Sequence, residues 1–441
     1  MLTRVRNTMN SKGLKRGVLS VAMAGLFALA APLHAAAPAA KAPAKPAAKA
    51  TEPVQLEIVH QLPPARAEAL KELVERFNAS SKDAKVEIVS RDWRVGTIPD
   101  LLILDGAEED AFVAGKPRYK PLHAMMREAG VPLQALRPPA MMTRTPVDTK
   151  GQLLALPVGL STPVLFLNKD AFRRAGMNPD ATPIATWFDL QQALGRLADA
   201  GQSCPYTVAE PGRVMVENLS AWHNEPVAAV RGKALAPSFN GMFQVKHVAM
   251  MASWHRASYL RIFDRGEAER RFAAGDCAVI AASSADWTDF RRQQTVDVGV
   301  SRLPYYDDFP GAPQNTLADG PALWAAAGKK PATYKAAARF VSFWLQPENQ
   351  VAWQRETGYL PLNRAGLLAS QSDLLGDDLE NVRVAVAQLT NKPVTSDSSS
   401  QPVVERERVR RILDEELAFV WADRKPAKEA LDTAVLRAGA N

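Results

Sequence analysis

VQLEIVH (54–60), ARAEALKELVERFNA (65–79), VEIVS (86–90) and PDLLILD (99–105) follow one another where the folded part of the chain begins. The first segment alternates and then turns apolar, which predicts a strand. The second places Leu70, Leu73, Val74 and Phe77 on one face at helical spacing, which predicts an amphipathic helix. The third reads as a strand. The fourth is apolar almost throughout, as expected of a strand covered on both faces. Strand, helix, strand, strand is the opening of an α/β unit.

The pattern continues downstream. TPVLFLNKDAF (162–172) predicts a strand running into a helix. Thr186 is placed to cap the next helix, with Asp189 three residues on at the capping-box position. GDCAVIAASS (275–284) predicts a strand followed by a helix over 284–292. VGVSRLPYY (298–306) and PALWAAAG (321–328) predict strands on either side of a Pro/Gly-rich loop. From Pro331 onward the chain reads as mostly helical. No internal repeat of fixed period is found.

Upstream of residue 54 the composition changes. Arg4, Arg6, Lys12, Lys15 and Arg16 form a basic stretch without acids, followed by the apolar run Val18–Leu33 and small residues at 35–37. This is the pattern of a secretory signal over residues 1–35. The Ala/Pro/Lys tract 36–53 cannot build a core and reads as a spacer. The formal charge of +7 falls to +2 without residues 1–35, and to near zero without the spacer lysines. The basic balance therefore offers a nucleic-acid partner little. The 441 residues, 47% of them hydrophobic, leave ample material for roughly two or three structural units. In an exported chain Cys204 and Cys277 form either a disulfide or two separate buried thiols.

Several functions lose support. The histidines, among them His60, His123, His223, His247 and His255, make no HExxH or close ligand pair, and no CxxC occurs. No metal site or cofactor is expected. No P-loop and no GxGxxG is present. Gly159-Leu160-Ser161-Thr162-Pro163 resembles half a nucleophile elbow, but proline replaces its second glycine and Ser161 precedes a strand, whereas an elbow leads into a helix. Catalytic residues are therefore not assigned, and a periplasmic serine hydrolase rests on Ser161 alone.

STPVLFLNKDAFRRAGM (161–177), ATWFDLQQAL (185–194), GDCAVIAASS, KAAARFVSFWLQPENQVAWQRETGYLPL (335–362) and DEELAFVWADRKPAKEALDTAV (414–435) together resemble the extracellular solute-binding proteins of carbohydrate-type ABC importers. With ENLSAW (217–222), VKHVAM (245–250) and APQN (312–315), the chain is most similar to the glycerol-phosphate-binding branch of that family. The resemblance covers nearly all of the chain after residue 54. It implies an α/β two-lobe periplasmic-binding-protein fold (type II, Venus-flytrap), with residues 54–160 and 299–326 in lobe 1 and residues 161–298 and 327–441 in lobe 2. It further implies a periplasmic monomer that binds a small phosphoester and delivers it to membrane permease subunits.

The same resemblance assigns a phosphate end: Ser161, Ser283, Gly320, Tyr359 and Arg410. Each residue suits the task. Arginine offers a planar fork to two oxygens. Ser283 precedes a predicted helix, whose free N–H groups favour an anion. Gly320 permits close backbone approach, and Ser161 and Tyr359 can donate hydroxyl protons. The glycerol end departs from the family pattern. VSRDWRVGTIPD joins two strands directly, leaving Trp93 as the nearby aromatic and Asp105 at a strand's carboxyl end, a usual place for ligand contact. The small phosphoester is then glycerol phosphate or a related glycerophosphodiester, and a neutral sugar is the alternative cargo.

Read without the resemblance, these residues have plainer roles. Arg410 lies among Arg406, Arg408 and Arg411 as on a solvated basic face. Tyr359 reads as a core cap, and Ser283 as a helix N-cap.

Overall fold

The computed structural model describes residues 52–131, 146–148, 150–231, 234–264, 266–395 and 406–439. The predicted signal segment and all but the end of the spacer lie outside them.

Two sheets organise the chain. The first contains β1 (Val54–His60), β2 (Ala84–Ile88), β3 (Leu101–Leu104), β4 (Tyr119–Lys120) and β5 (Leu156–Pro157). The second contains β6 (Pro163–Asn168), β7 (Cys204–Val208), β10 (Leu260–Arg261), β11 (Cys277–Ser283) and β12 (Val298–Ser301), while β8 (Ala228–Arg231) and β9 (Ala234–Pro237) form a separate hairpin. The last strand, β13 (Ala322–Ala326), returns to the first sheet, whose order is β2-β1-β3-β13-β4 with β5 also on β13. The second sheet runs β10-β7-β11-β6-β12. β1 is parallel to β2 and β3, whereas β13 enters antiparallel to β3 with Leu323 opposite Ile103.

The local chemistry is as expected. Leu70, Leu73, Val74 and Phe77 are buried on the helix Pro64–Ser80. β3 is buried at every position. Thr186 and Asp189 form a capping box on the helix Trp187–Asp199, with both bonds at 3.1 Å. No helix or strand interrupts residues 89–100 between β2 and β3. Cys204 and Cys277 are bonded, which settles the open alternative. They are register partners on the parallel strands β7 and β11.

The lobe boundaries need correcting at two places. β12 pairs with β6, so residues 299–301 belong to the second sheet, not with lobe 1. The helix Pro331–Trp344 packs on β1 and on the helices Pro64–Ser80 and Leu122–Glu128, and the helix Pro347–Thr357 packs on Pro64–Ser80. These helices cover the first sheet because β13 has just carried the chain back there. The chain then recrosses, and the helix Gly376–Leu389 lies on β12 and β6.

Three segments thus pass between the sheets side by side. Residues 158–162 leave the first sheet, residues 316–321 return to it, and residues 358–362 lie alongside. Ser161 and Asp319 exchange both main-chain bonds at 2.9 Å, and the Leu360 N–H donates to the Leu160 carbonyl at 2.7 Å. Thr162 Oγ1 is 2.8 Å from Thr316 Oγ1 and donates to the Leu317 carbonyl at 3.1 Å. Polar crossing strands inside the protein must be paired in this way.

Candidate functional site

The crossing segments carry three of the seven predicted residues: Ser161, Gly320 and Tyr359. Gly320 adopts φ of 142°, and a Cβ there would lie 1.4 Å from the Gly159 carbonyl oxygen. Only glycine lets the two crossing strands approach this closely.

Arg410 arrives from the helix Arg406–Trp421. Its neighbours at buried positions are Val409, Ile412, Leu413 and Leu417, so it belongs to the packed stripe and not to a solvated face. Its side chain is 10% exposed, against 71% for Arg411. The guanidinium is fully engaged. Nε lies 3.1 Å from both Glu217 carboxylate oxygens, Nη1 donates to Glu407 at 2.7 Å, and Nη2 donates to Glu217 at 2.8 Å and to Asp319 at 2.6 Å. Glu217 comes from the π-helical segment Gly212–Asn218, whose first N–H donates to Asp414 at 2.8 Å on the Arg410 helix.

Asp319 ties the predicted residues together. Its Oδ1 accepts from the Gly320 N–H at 3.0 Å, and its main-chain oxygen accepts from Ser161 Oγ at 3.2 Å. The Ser161 hydroxyl therefore points to a main-chain carbonyl, not to an imidazole base. Two further arginines face the Asp319 carboxylate: Arg406 Nη2 at 3.6 Å and Arg213 Nε at 3.7 Å.

Tyr359 and Ser283 have partners of their own. The Tyr359 hydroxyl accepts from Arg66 Nη1 at 3.3 Å, and the Arg66 guanidinium lies over the Tyr359 ring at 4.7 Å. Arg66 also donates to the Thr357 carbonyl at 3.3 Å and to Asp286 at 3.4 Å, so a residue of the first sheet's helix reaches the turn that follows β11. Burial pushes the Tyr359 hydroxyl up to about 12 and the Asp286 carboxyl up to about 7, with Arg66 opposing both. Ser283 Oγ accepts from the Ala285 N–H at 3.3 Å and caps the short turn Ser284–Asp286, the plainer role foreseen for it.

Asp105 caps the helix Gly106–Val113, accepting from the Gly106 N–H at 2.8 Å. It remains solvent-accessible. Desolvation and the neighbouring Asp319 charge nevertheless raise its carboxyl to about 6, with Arg406 acting in the opposite sense. Trp93 is placed differently from the expectation. It is 3% exposed, its Nε1 donates to Glu108 at 2.9 Å, and its ring meets Phe112 edge-on at 5.3 Å. It belongs to the core of the first sheet, because the direct β2–β3 connection folds its one aromatic side chain inward.

Next to this hub lies a cleft of about 1170 Å³. Its walls include Asp110 and Ala111 from the first sheet's side, Glu210 and Arg213 from the second, and Arg410 and Asp414 from the Arg410 helix. A smaller cavity of 20 Å³ is bounded by Asp319, Gly320, Arg406 and Glu109. Glu109 is buried there, accepting from Trp324 Nε1 at 3.1 Å, and desolvation raises its carboxyl to about 8 although Arg406 counters this. Its folded-state value thus lies above the ordinary 4.5 of the unfolded chain, and the proton it keeps stabilises the fold at low pH. That contribution is lost as pH rises from about 4.5 through about 8. Glu109→Gln is expected to gain stability relative to the parent as the buffer is taken from pH 5 to pH 8. His223 and His247, held near 4 and 3 by burial, titrate alike in both proteins and cancel from the difference. Melting temperatures across that range test it; a constant difference would mean that Glu109 titrates normally.

Sequence reasoning missed Arg66, Arg213, Glu217, Asp319 and Arg406. Two signals were available. Arg406 is one helical turn before Arg410 and shares its face, and Asp319 adjoins Gly320. Arg213 and Arg66 meet their partners only through the fold.

A two-sheet α/β body with three bonded crossings and a charged cleft beside them is the architecture of a solute receptor. The chain belongs to the bacterial extracellular solute-binding protein family, whose model matches residues 107–372. It is a periplasmic binding protein. It is 33% identical to the sn-glycerol-3-phosphate-binding periplasmic protein UgpB of Yersinia enterocolitica, over 83% of this chain and 87% of that one. The protein of the same name from Pectobacterium atrosepticum is 32% identical over 83% and 86%. Among solved structures, UgpB from Mycobacterium tuberculosis in complex with glycerophosphocholine superposes with a TM-score of 0.69 at 19% identity, covering 88% of this chain and 97% of that one. The cyclic alpha-maltosyl-1,6-maltose binding protein of Arthrobacter globiformis gives 0.67 at 19%, covering 88% and 98%. These structures share the fold.

Proposed function

We propose that this chain is the substrate-binding component of an ABC importer and captures sn-glycerol-3-phosphate or a related glycerophosphodiester. Ser161, Ser283, Gly320, Tyr359 and Arg410 serve the phosphate, and Asp105, just past the end of β3, meets the rest of the ligand. The observation that carries the reading is that Arg410 and the Gly320 N–H converge on one oxyanion-sized seat beside the cleft. It is supported by curated relatives named for sn-glycerol-3-phosphate. Charge-assisted donors from an arginine and a main-chain N–H are what a phosphate requires. The chain performs no chemistry on its cargo, works as a monomer without cofactor, and hands the ligand to membrane permease subunits. The near-neutral folded region gives nucleic acid no footing.

Calorimetric titration of the protein lacking residues 1–35 with sn-glycerol-3-phosphate, glycerophosphocholine and maltose tests the reading. Saturable binding of either phosphoester is expected, with none of maltose. Binding of maltose alone would make the chain a carbohydrate receptor of the same fold. Ester hydrolysis that disappears in Ser161→Ala would make it a hydrolase.

A further inference from the structure

The seat just described is already taken. Asp319 places Oδ1 on the Gly320 N–H and Oδ2 on Arg410 Nη2, two of the donors assigned to the ligand's phosphate. Arg406 and Arg213 approach the same carboxylate at 3.6 and 3.7 Å without hydrogen bonding to it. Each guanidinium also has a carboxylate of its own, Arg410 with Glu217 and Glu407, Arg213 with Glu210 and Arg406 with Glu109, so what the site holds in excess is hydrogen-bond donors and not positive charge.

The excess is visible in the donors. Arg213 Nε and Nη2 and Arg406 Nε are buried and have no hydrogen-bond partner among the described residues. Buried donors are normally paired, so such a group calls for an explanation. A tetrahedral oxyanion of higher charge, with more acceptor oxygens than a carboxylate, would supply one.

We propose that Asp319 is a built-in competitor for the ligand's phosphate, and that Arg213 and Arg406 join Arg410 in holding the phosphate once it displaces the Asp319 side chain. This rests on the phosphoester reading and adds two binding residues and a selectivity device to it. The exchange needs no large rearrangement. The Asp319 main chain stays paired with Ser161, so the side chain alone must turn. Arg410 stays anchored meanwhile, because Glu217 holds Nε and Nη2 and Glu407 holds Nη1. A neutral polyol cannot replace a carboxylate among three arginines, so the competitor sets a threshold that only an anion passes. It also lowers the affinity below what three arginines would give, which favours release.

Asp319→Asn keeps the side-chain shape and removes the charge. By calorimetry it is expected to bind sn-glycerol-3-phosphate about tenfold more tightly than the parent. Adding Arg213→Gln or Arg406→Gln to it is expected to reverse about that gain. Equal or weaker binding in Asp319→Asn would overturn the proposal and make Asp319 a scaffold for the arginines. If that variant does not fold, Arg213→Gln and Arg406→Gln in the parent decide the matter, since unchanged phosphoester affinity in both would also overturn it. Melting with inorganic phosphate separates this inference from the cargo. If neither protein binds a glycerophosphoester, yet phosphate raises the melting temperature of Asp319→Asn more than that of the parent, the competitor stands and the cargo assignment falls. If the parent binds sn-glycerol-3-phosphate and Asp319→Asn binds it no better, the reverse holds.

Discussion

Arg410→Ala is expected to lower folding stability by about 3–5 kcal/mol as well as abolish phosphoester binding. Arg410 is the shared counter-ion of Glu217, Asp319 and Glu407. Removing it leaves three carboxylates facing a hole between two helices and a crossing strand. Arg406 and Arg213 partly compensate Asp319. Read from sequence, Arg410→Ala promises a clean loss of affinity with the fold intact; the buried hub makes it a fold variant too. Arg410→Lys restores one charge without the fork and should recover part of the stability while remaining defective in binding. Urea unfolding of both variants beside ligand titration checks this. An alanine variant as stable as the parent would show that the three carboxylates find other partners.

Replacing Cys204 and Cys277 with serine is expected to cost about 2–5 kcal/mol. The bond closes a loop spanning a sequence separation of 73 residues, which contains the π-helical segment, the β8–β9 hairpin and the helices that back the second sheet. The unfolded chain gains the freedom of that whole loop when the bond is cut. The native strands lose little, since main-chain pairing still aligns them through Val279 opposite Tyr206 and Ala281 opposite Val208. Ligand affinity measured well below the melting temperature should therefore change far less than stability. Unfolding midpoints with and without a thiol reductant test the same bond without mutation, and coincident midpoints would sink the expectation.

Most secondary structure was legible because its signals are local. The stripe Leu70, Leu73, Val74 and Phe77, the capping box at Thr186 and the all-apolar β3 each declare themselves within a few residues. What was not legible is non-local. The helices at 331–357 look no different in sequence from those of the second sheet; only the antiparallel entry of β13 beside β3 tells which sheet they cover. The partners of Arg410 likewise depend on a pairing between Ser161 and Asp319 across 158 positions. Arg66 meets Tyr359 across 293 positions, and no motif announces that contact. Trp93 was misplaced for a related reason: an aromatic in a shortened loop can face ligand or core, and Glu108 and Phe112 decided for the core.

The three crossings have a mechanical meaning. Ser161, Gly320 and Tyr359 are not mounted on rigid elements at the cleft's edge; they are part of the axle itself. Any rotation of one sheet against the other must twist the strands that present these groups, so the spacing between the Gly320 N–H and Arg410 changes with the angle. On the proposed reading a ligand is held in a wrist, not between two palms. On that reading, turning the wrist loosens the grip where Asp319 stands ready to take the seat back.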